Sequence, residues 1–160
     1  MVEEILSKDG FNLGAVQNHF SLLRSDQQPI IDYCNSKGIT YYAYMVLEQG
    51  ALAGSYNAKH HFPTFSMRNL SFPKRKFKKI EGLLGLMNQI ALKHNIDKSQ
   101  VPILWAIAKG AVPIVGITKK KYVELLVDAL KVKLDPAEID RLTVEAGATG
   151  IRQQGIWEPQ

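Results

Sequence analysis

The stretch GITYYAYMVLEQGALAG, residues 38–54, decides how this chain is interpreted. It begins as an apolar run rich in aromatic residues, which is typical of a buried strand. Gly50 and Gly54 follow, and glycine allows the backbone to turn sharply and to approach an anionic group closely. Tyr44 lies at the carboxyl end of the predicted strand, where ligand-binding residues collect in α/β proteins. The pattern predicts Tyr44 either as a platform for a flat ligand or as a core residue.

Strand-like and helix-like segments alternate on both sides of this stretch. A short amphipathic helix with Val2, Ile5 and Leu6 is predicted to end at Gly10, and a long irregular connection is predicted from Gly50 to Phe77. The predicted strands are residues 12–20, 39–47 and 111–117; the other predicted helices are residues 25–38, 79–95, 97–110, 120–130 and 134–147. Apolar strands separated by helices indicate a parallel sheet covered on both faces or a closed barrel.

Composition limits the class of protein. The chain has 160 residues, 46% of them hydrophobic, which is enough for one compact domain, taken here as residues 1–160. A single cysteine, Cys34, and an acidic N-terminal segment without an apolar core predict a cytoplasmic protein. No apolar run is long enough to span a membrane. The formal charge of +5 owes much to two basic runs, KRKFKK (Lys74–Lys79) and KKK (Lys119–Lys121).

Three motifs, in the same order and spacing, resemble the aldo/keto reductase family. VQNHFSLL (residues 16–23) is similar to the motif of its sixth strand, in which a Gln-Asn pair precedes an aromatic residue and a serine. GITYYAYMVLEQGALAG is similar to its seventh strand and the following loop, usually Ala-Tyr-Ser-Pro-Leu with glycines after it. Residues 112–142 resemble its eighth strand, eighth helix and closing helix.

The resemblance implies an α/β fold, a partial (β/α)8 TIM barrel that covers roughly strands six to eight with their helices and the C-terminal helix. It also implies an oxidoreductase that uses NADPH to reduce aldehydes or ketones. The catalytic tetrad of the family, Asp, Tyr, Lys and His, comes from the first half of the barrel and matches no position here. We therefore assign no catalytic residue and expect the chain to be inactive by itself.

Four cofactor positions transfer from the family by matching motif. Gln17 matches the glutamine that binds the nicotinamide carboxamide, because an amide both donates and accepts hydrogen bonds. Tyr44 matches the aromatic residue whose face stacks on the nicotinamide ring. Leu47 and Gly50 match the loop beside the pyrophosphate, where backbone N–H groups bind the anion.

The sequence departs from the family at the phosphate and adenine positions. Met45 and Val46 replace the usual Ser-Pro, which removes a hydroxyl donor. Tyr122, Leu125 and Leu126 stand where the family has a basic or glutamine residue and a Glu-Asn pair. The lysines at 119–121 could bind a 2′-phosphate, or they could be an ordinary solvated charge run.

Other residues have simpler interpretations. His60 and His61 are adjacent and have no partner at zinc-ligand spacing, so no metal site is expected. Cys34 is interpreted as a small packing residue and Trp105 as a helix residue packed on the barrel.

Two other functions stay open: a non-catalytic dinucleotide-binding or regulatory module, and a basic binder of nucleic acid or an acidic partner. The nucleic-acid interpretation is the less favoured, since the family match sets the basic residues beside the cofactor loop. If the amino half completes the barrel, the expected partner is a small carbonyl substrate. Three strands alone leave open sheet edges, from which we expect self-association.

Overall fold

A computed structural model of the chain describes Glu4, residues 12–117 and residues 119–153. The predicted helix around Val2, Ile5 and Leu6 lies outside the described residues. The strands in this part of the chain are β1 (Ala15–His19), β2 (Thr40–Tyr44) and β3 (Val112–Pro113). The helices are α1 (Gln28–Ser36), α2 (Met67–Ser71), α3 (Lys74–Lys79), α4 (Glu81–His94), α5 (Gln100–Ala108), α6 (Lys120–Ala129) and α7 (Pro136–Ala148). A membrane-spanning helix is not found among them.

The three strands form one parallel sheet in the order β1-β2-β3. Gln17 pairs with Tyr42, which in turn pairs with Val112, so these three residues form one layer across the sheet. Each connection between strands contains at least one helix, as parallel pairing requires. The sheet confirms the predicted parallel α/β architecture and is consistent with part of a barrel.

The third strand is much shorter than the sequence predicts. The run from Ala111 to Ile117 indicates a full strand, but only Val112 and Pro113 pair with β2. Proline has no backbone N–H to contribute to the ladder, which limits pairing on this side. Beyond it, the Ile114 N–H still donates to the Ala43 carbonyl at 2.8 Å. The prediction of strand type was therefore right and that of its length was wrong.

The connection from Gly50 to Phe77 is irregular only in its first part. Helix α2 begins after Ser66, whose hydroxyl accepts a hydrogen bond from the Arg68 N–H at 3.1 Å. Helix α3 follows Pro73, and the basic run KRKFKK forms its entire length. The prediction of irregular structure as far as Phe77 was wrong here. A run of basic residues shows no apolar helical pattern, but its one apolar residue, Phe77, is buried in the core and holds the helix there.

The core lies between the sheet and the helices. Trp105 is fully buried, its ring stacks on Phe20 at 5.0 Å, and its indole N–H donates to Thr143 Oγ1 at 3.0 Å. Cys34 is buried as a free thiol. Both residues take the packing roles predicted for them, and Trp105 joins α5 to α7.

The opposite face of the sheet is open. Tyr42, Val112 and Ile114 are 37%, 46% and 45% exposed, whereas Tyr41 and Ala43, which alternate with Tyr42, are buried. Alternate residues of a strand point to opposite faces, so the helices cover one face alone. In a complete barrel, the open face would be the inner one.

Candidate functional site

The carboxyl ends of β1 and β2 bring two ring side chains together. β1 ends at His19 and β2 at Tyr44, and the strand register pairs these two residues. Their rings stack with centroids 5.6 Å apart and planes 30° apart. Tyr44 is half-buried, and Gln17, two residues before His19 on the same face of the sheet, is exposed. The predicted residues Gln17 and Tyr44 therefore share the open face.

The loop after β2 has an unusual backbone. Met45, Glu48 and Gln49 have φ values of 60°, 47° and 56°, and Gly50 follows with 100°. Such angles are left-handed and cost a non-glycine residue of the order of 1–3 kcal/mol. Gly54 has a φ of 82°, and a Cβ added there would lie 3.0 Å from the Lys98 side chain. Glycine is therefore required at positions 50 and 54 by their positive φ values.

Glu48 fixes this loop to β1. It is 3% exposed, and its Oε1 accepts hydrogen bonds from His19 Nε2 at 2.8 Å and from the Ser21 hydroxyl. His19 and Ser21 are themselves fully buried. Glu48 and His19 were not predicted as site residues, although a charged residue directly after an apolar strand was a visible sign.

The arrangement of Ser21, His19 and Glu48 is not that of a catalytic triad. In a triad the histidine lies between the nucleophile and the acid, but here both donors bind the same carboxylate oxygen. Ser21 is fully buried, so a substrate has no access to its hydroxyl. The three residues clamp the loop after β2 to the strand beside it.

Lys76 differs from the rest of the basic run because its ammonium group is hydrogen-bonded within the protein. Its Nζ donates to the Ser71 carbonyl and to Gln153 Oε1, both at 2.8 Å. Burial lowers the pKa of Lys76, and the negative charge of Glu48 opposes that change. Lys76 therefore holds α3 against the body of the protein.

A cavity of about 270 Å³ opens beside the loop. Four of the residues discussed from the sequence meet in its wall: Leu47, Tyr122, Leu125 and Leu126. Gln17, Tyr44 and Gly50 do not line it. The remaining lining residues are Ala53, Ser55, Asp97, Ser99, Gln100, Ile103, Val115, Gly116 and Ile117.

The chemistry of this wall is mixed. The leucine and isoleucine side chains suit a flat base, and the hydroxyl and carboxylate groups suit the hydroxyls of a sugar. The carboxylate of Asp97 already accepts from the backbone N–H and the hydroxyl of Ser99, at 2.8 and 2.6 Å. A phosphate would be repelled by Asp97 and would have to bind elsewhere along the loop.

The loop offers only some of its N–H groups to an anion. The Gly50 N–H donates to the Leu47 carbonyl at 2.8 Å, so in this conformation it is used inside the turn Glu48–Gly50. Lys119 and Lys120 are exposed at the start of α6, and the Lys120 ammonium lies 4.0 Å from the exposed Glu124 carboxylate. The side chain of Lys121 lies outside the described residues.

The histidines differ in their surroundings. The His60 ring stacks on Tyr56 at 5.6 Å, and His61 Nδ1 contacts the Phe62 carbonyl at 2.8 Å. The fourth histidine, His94, lies with Asp135 and Glu138 in a group whose potential ligand atoms are within 4.8 Å of one another. This group was not predicted from the sequence.

The positive charge beside Asp135 and Glu138 is supplied by Lys93. Its ammonium lies 2.7 Å from Asp135 Oδ2 and 2.8 Å from Glu138 Oε1. Glu138 Oε2 also accepts from the Asp135 backbone N–H at 2.9 Å, which completes the capping box of α7. The carboxylates thus serve a salt-bridged helix cap.

Comparison with known sequences gives one family. A sequence profile described as "Aldo/keto reductase family" matches residues 1–144. The chain is 36% identical over 135 residues to the chloroplastic pyridoxal reductase of Arabidopsis thaliana, covering 83% of this chain and 36% of that protein. It is 32% identical over 117 residues to the aldo-keto reductase yakc [NADP(+)] of Schizosaccharomyces pombe, covering 71% and 34% respectively. It therefore spans about a third of the length of these relatives.

Solved structures show the same fold. A crystal structure of the thermostable aldo-keto reductase Tm1743 with the inhibitor epalrestat aligns with a TM-score of 0.63 at 19% identity. It covers 89% of this chain and 43% of that one. The structure of the aldo-keto reductase AKR2E5 complexed with NADPH aligns with a TM-score of 0.60 at 17% identity, covering 89% and 38%.

Proposed function

The chain belongs to the aldo/keto reductase family, and from that membership we propose that it is the cofactor-binding half of an NADPH-dependent oxidoreductase of aldehydes or ketones. The relatives include one named for NADP(+), and a structural neighbour was solved with NADPH. The observation that carries the proposal is the parallel register. This pairing of β1 with β2 sets Gln17 and Tyr44 on the same face of the sheet. The loop that follows Tyr44 borders the cavity at Leu47.

Four residues take the proposed cofactor roles. The exposed Gln17 amide would bind the carboxamide, and the ring of Tyr44 would hold the nicotinamide flat against the open face of the sheet. Leu47 and Gly50 would shape the loop along the pyrophosphate. NADPH, when bound, supplies the hydride; the residues of this chain bind and orient it.

The adenine end would occupy the cavity. Its apolar wall fits the base, and Ser55 and Asp97 fit the ribose hydroxyls. Lys119 and Lys120, exposed at the start of α6, would attract the 2′-phosphate. The leucines at 125 and 126 make this end less polar than the family pattern.

The chain alone is proposed to be inactive. The Asp, Tyr, Lys and His of the family's tetrad match no position here, and both the carbonyl substrate and the proton donor would need the first half of the barrel. A cytoplasmic location is proposed with it, because the buried thiol of Cys34 fits a reducing compartment.

A titration with NADPH tests the proposal. Cofactor fluorescence would be followed with the wild-type chain, with Tyr44→Ala, and with the control Tyr33→Ala, which removes a partly buried tyrosine from α1. We expect a Kd below about 100 μM, weakened in Tyr44→Ala and unchanged in the control. Folding of each variant would be checked by circular dichroism.

The outcome that contradicts the proposal is a folded chain with no affinity for NADPH or NADH. Equal binding by wild type and Tyr44→Ala would instead remove Tyr44 from the site. Mixing the chain with an amino-terminal half that carries the tetrad should restore carbonyl reduction. Failure of that mixture while NADPH still binds would favour a non-catalytic function.

A non-catalytic dinucleotide-binding module is the second candidate. It is favoured by one observation, the replacement of polar adenine contacts by Leu125 and Leu126 in the cavity wall. Such a module would bind the dinucleotide in the same place and have no use for the amino half. The mixing experiment separates the two candidates.

A further inference from the structure

The segment between β2 and α4 contains a protrusion, defined as residues 63–79, which buried phenylalanines attach to the core. Phe72 and Phe77 are buried, and their rings pack 4.8 Å apart. Phe77 also packs on Phe62 at 5.4 Å, which ties the protrusion to the residues before it. These contacts, with the hydrogen bonds of Lys76, hold α2 and α3 in place.

Three apolar side chains of the protrusion point into solvent. Phe65 is 103% exposed, Leu70 is 75% exposed and Met67 is 65% exposed. They fall within six consecutive residues. The two remaining aromatic rings of the protrusion, Phe72 and Phe77, are buried in the neighbouring phenylalanine cluster. Apolar side chains grouped on a surface mark a site of interaction, whereas single ones are ordinary.

Cations flank these side chains in the sequence. Residues 49–80 contain seven lysines and arginines and no acidic residue. The exposed ones in the protrusion take no part in the ion pairs found among the described residues; they are Arg68, Lys74, Arg75, Lys78 and Lys79. Within α3, Lys74 and Lys78 are four residues apart, as are Arg75 and Lys79, so like charges lie side by side. That arrangement is stabilised by an anionic partner.

We propose that the protrusion docks this protein on an anionic membrane surface. Phe65, Met67 and Leu70 enter the boundary between headgroups and acyl chains, and the five cations bind lipid phosphates and carboxylates. The protein then lies on the membrane without crossing it. The proposal is independent of the cofactor, since the residues that carry it do not line the cavity.

Two other partners fit the protrusion less well. A nucleic-acid strand is bound by basic residues together with several exposed aromatic rings that stack on bases, but Phe65 is the only exposed aromatic ring among residues 63–79. Met67 and Leu70 have no flat ring to offer. A second copy of the chain would bring the same cations against these cations, which is repulsive.

The test is co-sedimentation of the chain with vesicles of phosphatidylcholine, with or without phosphatidylserine. We expect binding only with phosphatidylserine and a decrease as salt is raised, since exposed charges are screened. A triple variant, Phe65→Ser with Met67→Ser and Leu70→Ser, should bind at least about tenfold more weakly. The control is Leu92→Ser with Val144→Ser, which removes side chains that are 74% and 72% exposed on α4 and α7.

A second pair of variants tests the charges. Lys78→Glu with Lys79→Glu should lower the affinity by about tenfold or more, and Lys131→Glu with Lys133→Glu, outside the protrusion, should leave it unchanged. Binding to phosphatidylcholine alone, or a triple variant that binds like wild type, would overturn the proposal. So would tighter binding to single-stranded RNA than to the vesicles.

Discussion

Glu48 combines two features that are each costly for a single residue. Its backbone is left-handed, with a φ of 47°, and its carboxylate is buried. Both are tolerated because His19, at the end of β1, and Ser21, just after it, donate to that carboxylate. A strained, buried acid beside a ligand loop indicates a conformation that the surrounding structure holds in place.

The cost of the backbone can be separated from the value of the carboxylate. Glu48→Ala and Glu48→Gly both remove the carboxylate, but only glycine accepts a left-handed φ without strain. We therefore expect Glu48→Gly to be more stable than Glu48→Ala by about 1 kcal/mol, although alanine is usually the more stable of the two. Urea unfolding followed by Trp fluorescence measures the difference.

The matched control for this pair is Glu124, on helix α6 and exposed. There Glu124→Ala should be the more stable variant, as in any exposed helix. If alanine were also the more stable at 48, the left-handed backbone would not be a source of strain.

Some residues of the candidate site could be predicted from a local pattern or a matching motif, and others could not. Tyr44 was singled out because it ends an apolar strand that glycines follow, and Leu47 because its motif matches the loop of the family. Glu48 was missed because its partners, His19 and Ser21, are 29 and 27 residues away. A contact of that kind is created by strand pairing, which no local pattern reports.

At the scale of elements, α4 and α7 are joined by a small network of charges. Lys93 and His94 at the end of α4 contact Glu138 in the first turn of α7, and Lys93 also contacts Asp135. The Lys93 ammonium at a helix C-terminus and the Glu138 carboxylate at a helix N-terminus also interact favourably with the helix dipoles. The network therefore stabilises both helix ends and their packing.

Stability should fall in acid as this network loses its charge. Burial alone would raise the pKa of Glu138, but hydrogen bonds from Lys93, the Asp135 backbone and His94 outweigh it and lower the pKa from 4.5 to about 2. A lowered folded-state pKa gives stability that is fully present above about pH 4.5 and is lost as the pH falls toward 2. The full change in pKa corresponds to roughly 3 kcal/mol, and the expected loss is smaller because Lys93 is exposed and solvent screens its charge.

Urea midpoints of the wild type, Glu138→Gln and the exposed control Glu124→Gln, measured from about pH 6 to about pH 3, test this. We expect a smaller acid loss in Glu138→Gln and the wild-type profile in the control. Parallel profiles for wild type and Glu138→Gln would show that other groups cause the acid loss.

Elements were predicted well where a local signal marks their start. Helix α7 begins after Asp135 with Pro136 in its first position, within the predicted helical segment 134–147. Two predictions were wrong. The length of β3 was overestimated because Pro113 limits its pairing. Helix α3 was not predicted because it consists of basic residues and one buried phenylalanine. These departures depend on packing partners elsewhere in the chain.

For the whole molecule, the dominant feature is a sheet covered on one face. The helices bury Tyr41 and Ala43, whereas Tyr42, Val112 and Ile114 remain exposed on the other face. Exposed apolar area on a sheet with open edges favours association. In a complete barrel the same face would be filled by the remaining strands.

We therefore expect the isolated chain to sediment as an assembly larger than its 17.9 kDa monomer. Val112→Thr with Ile114→Thr lowers the apolar area of the open face and should shift the equilibrium toward monomer. The control is Val123→Thr with Val127→Thr, which changes exposed valines of α6. Sedimentation equilibrium measures both, and a monomeric wild type would contradict the expectation.

The clamp around Glu48 also restricts the evolutionary paths open to this sequence. A change at Glu48 alone leaves a buried histidine and a buried serine without their acceptor, and a change at His19 alone weakens the hold on a buried acid. Each single step is deleterious although a joint change of His19, Ser21 and Glu48 can be neutral, which is strong epistasis. In the descendants of this sequence, positions 19, 21 and 48 should be inherited and replaced together.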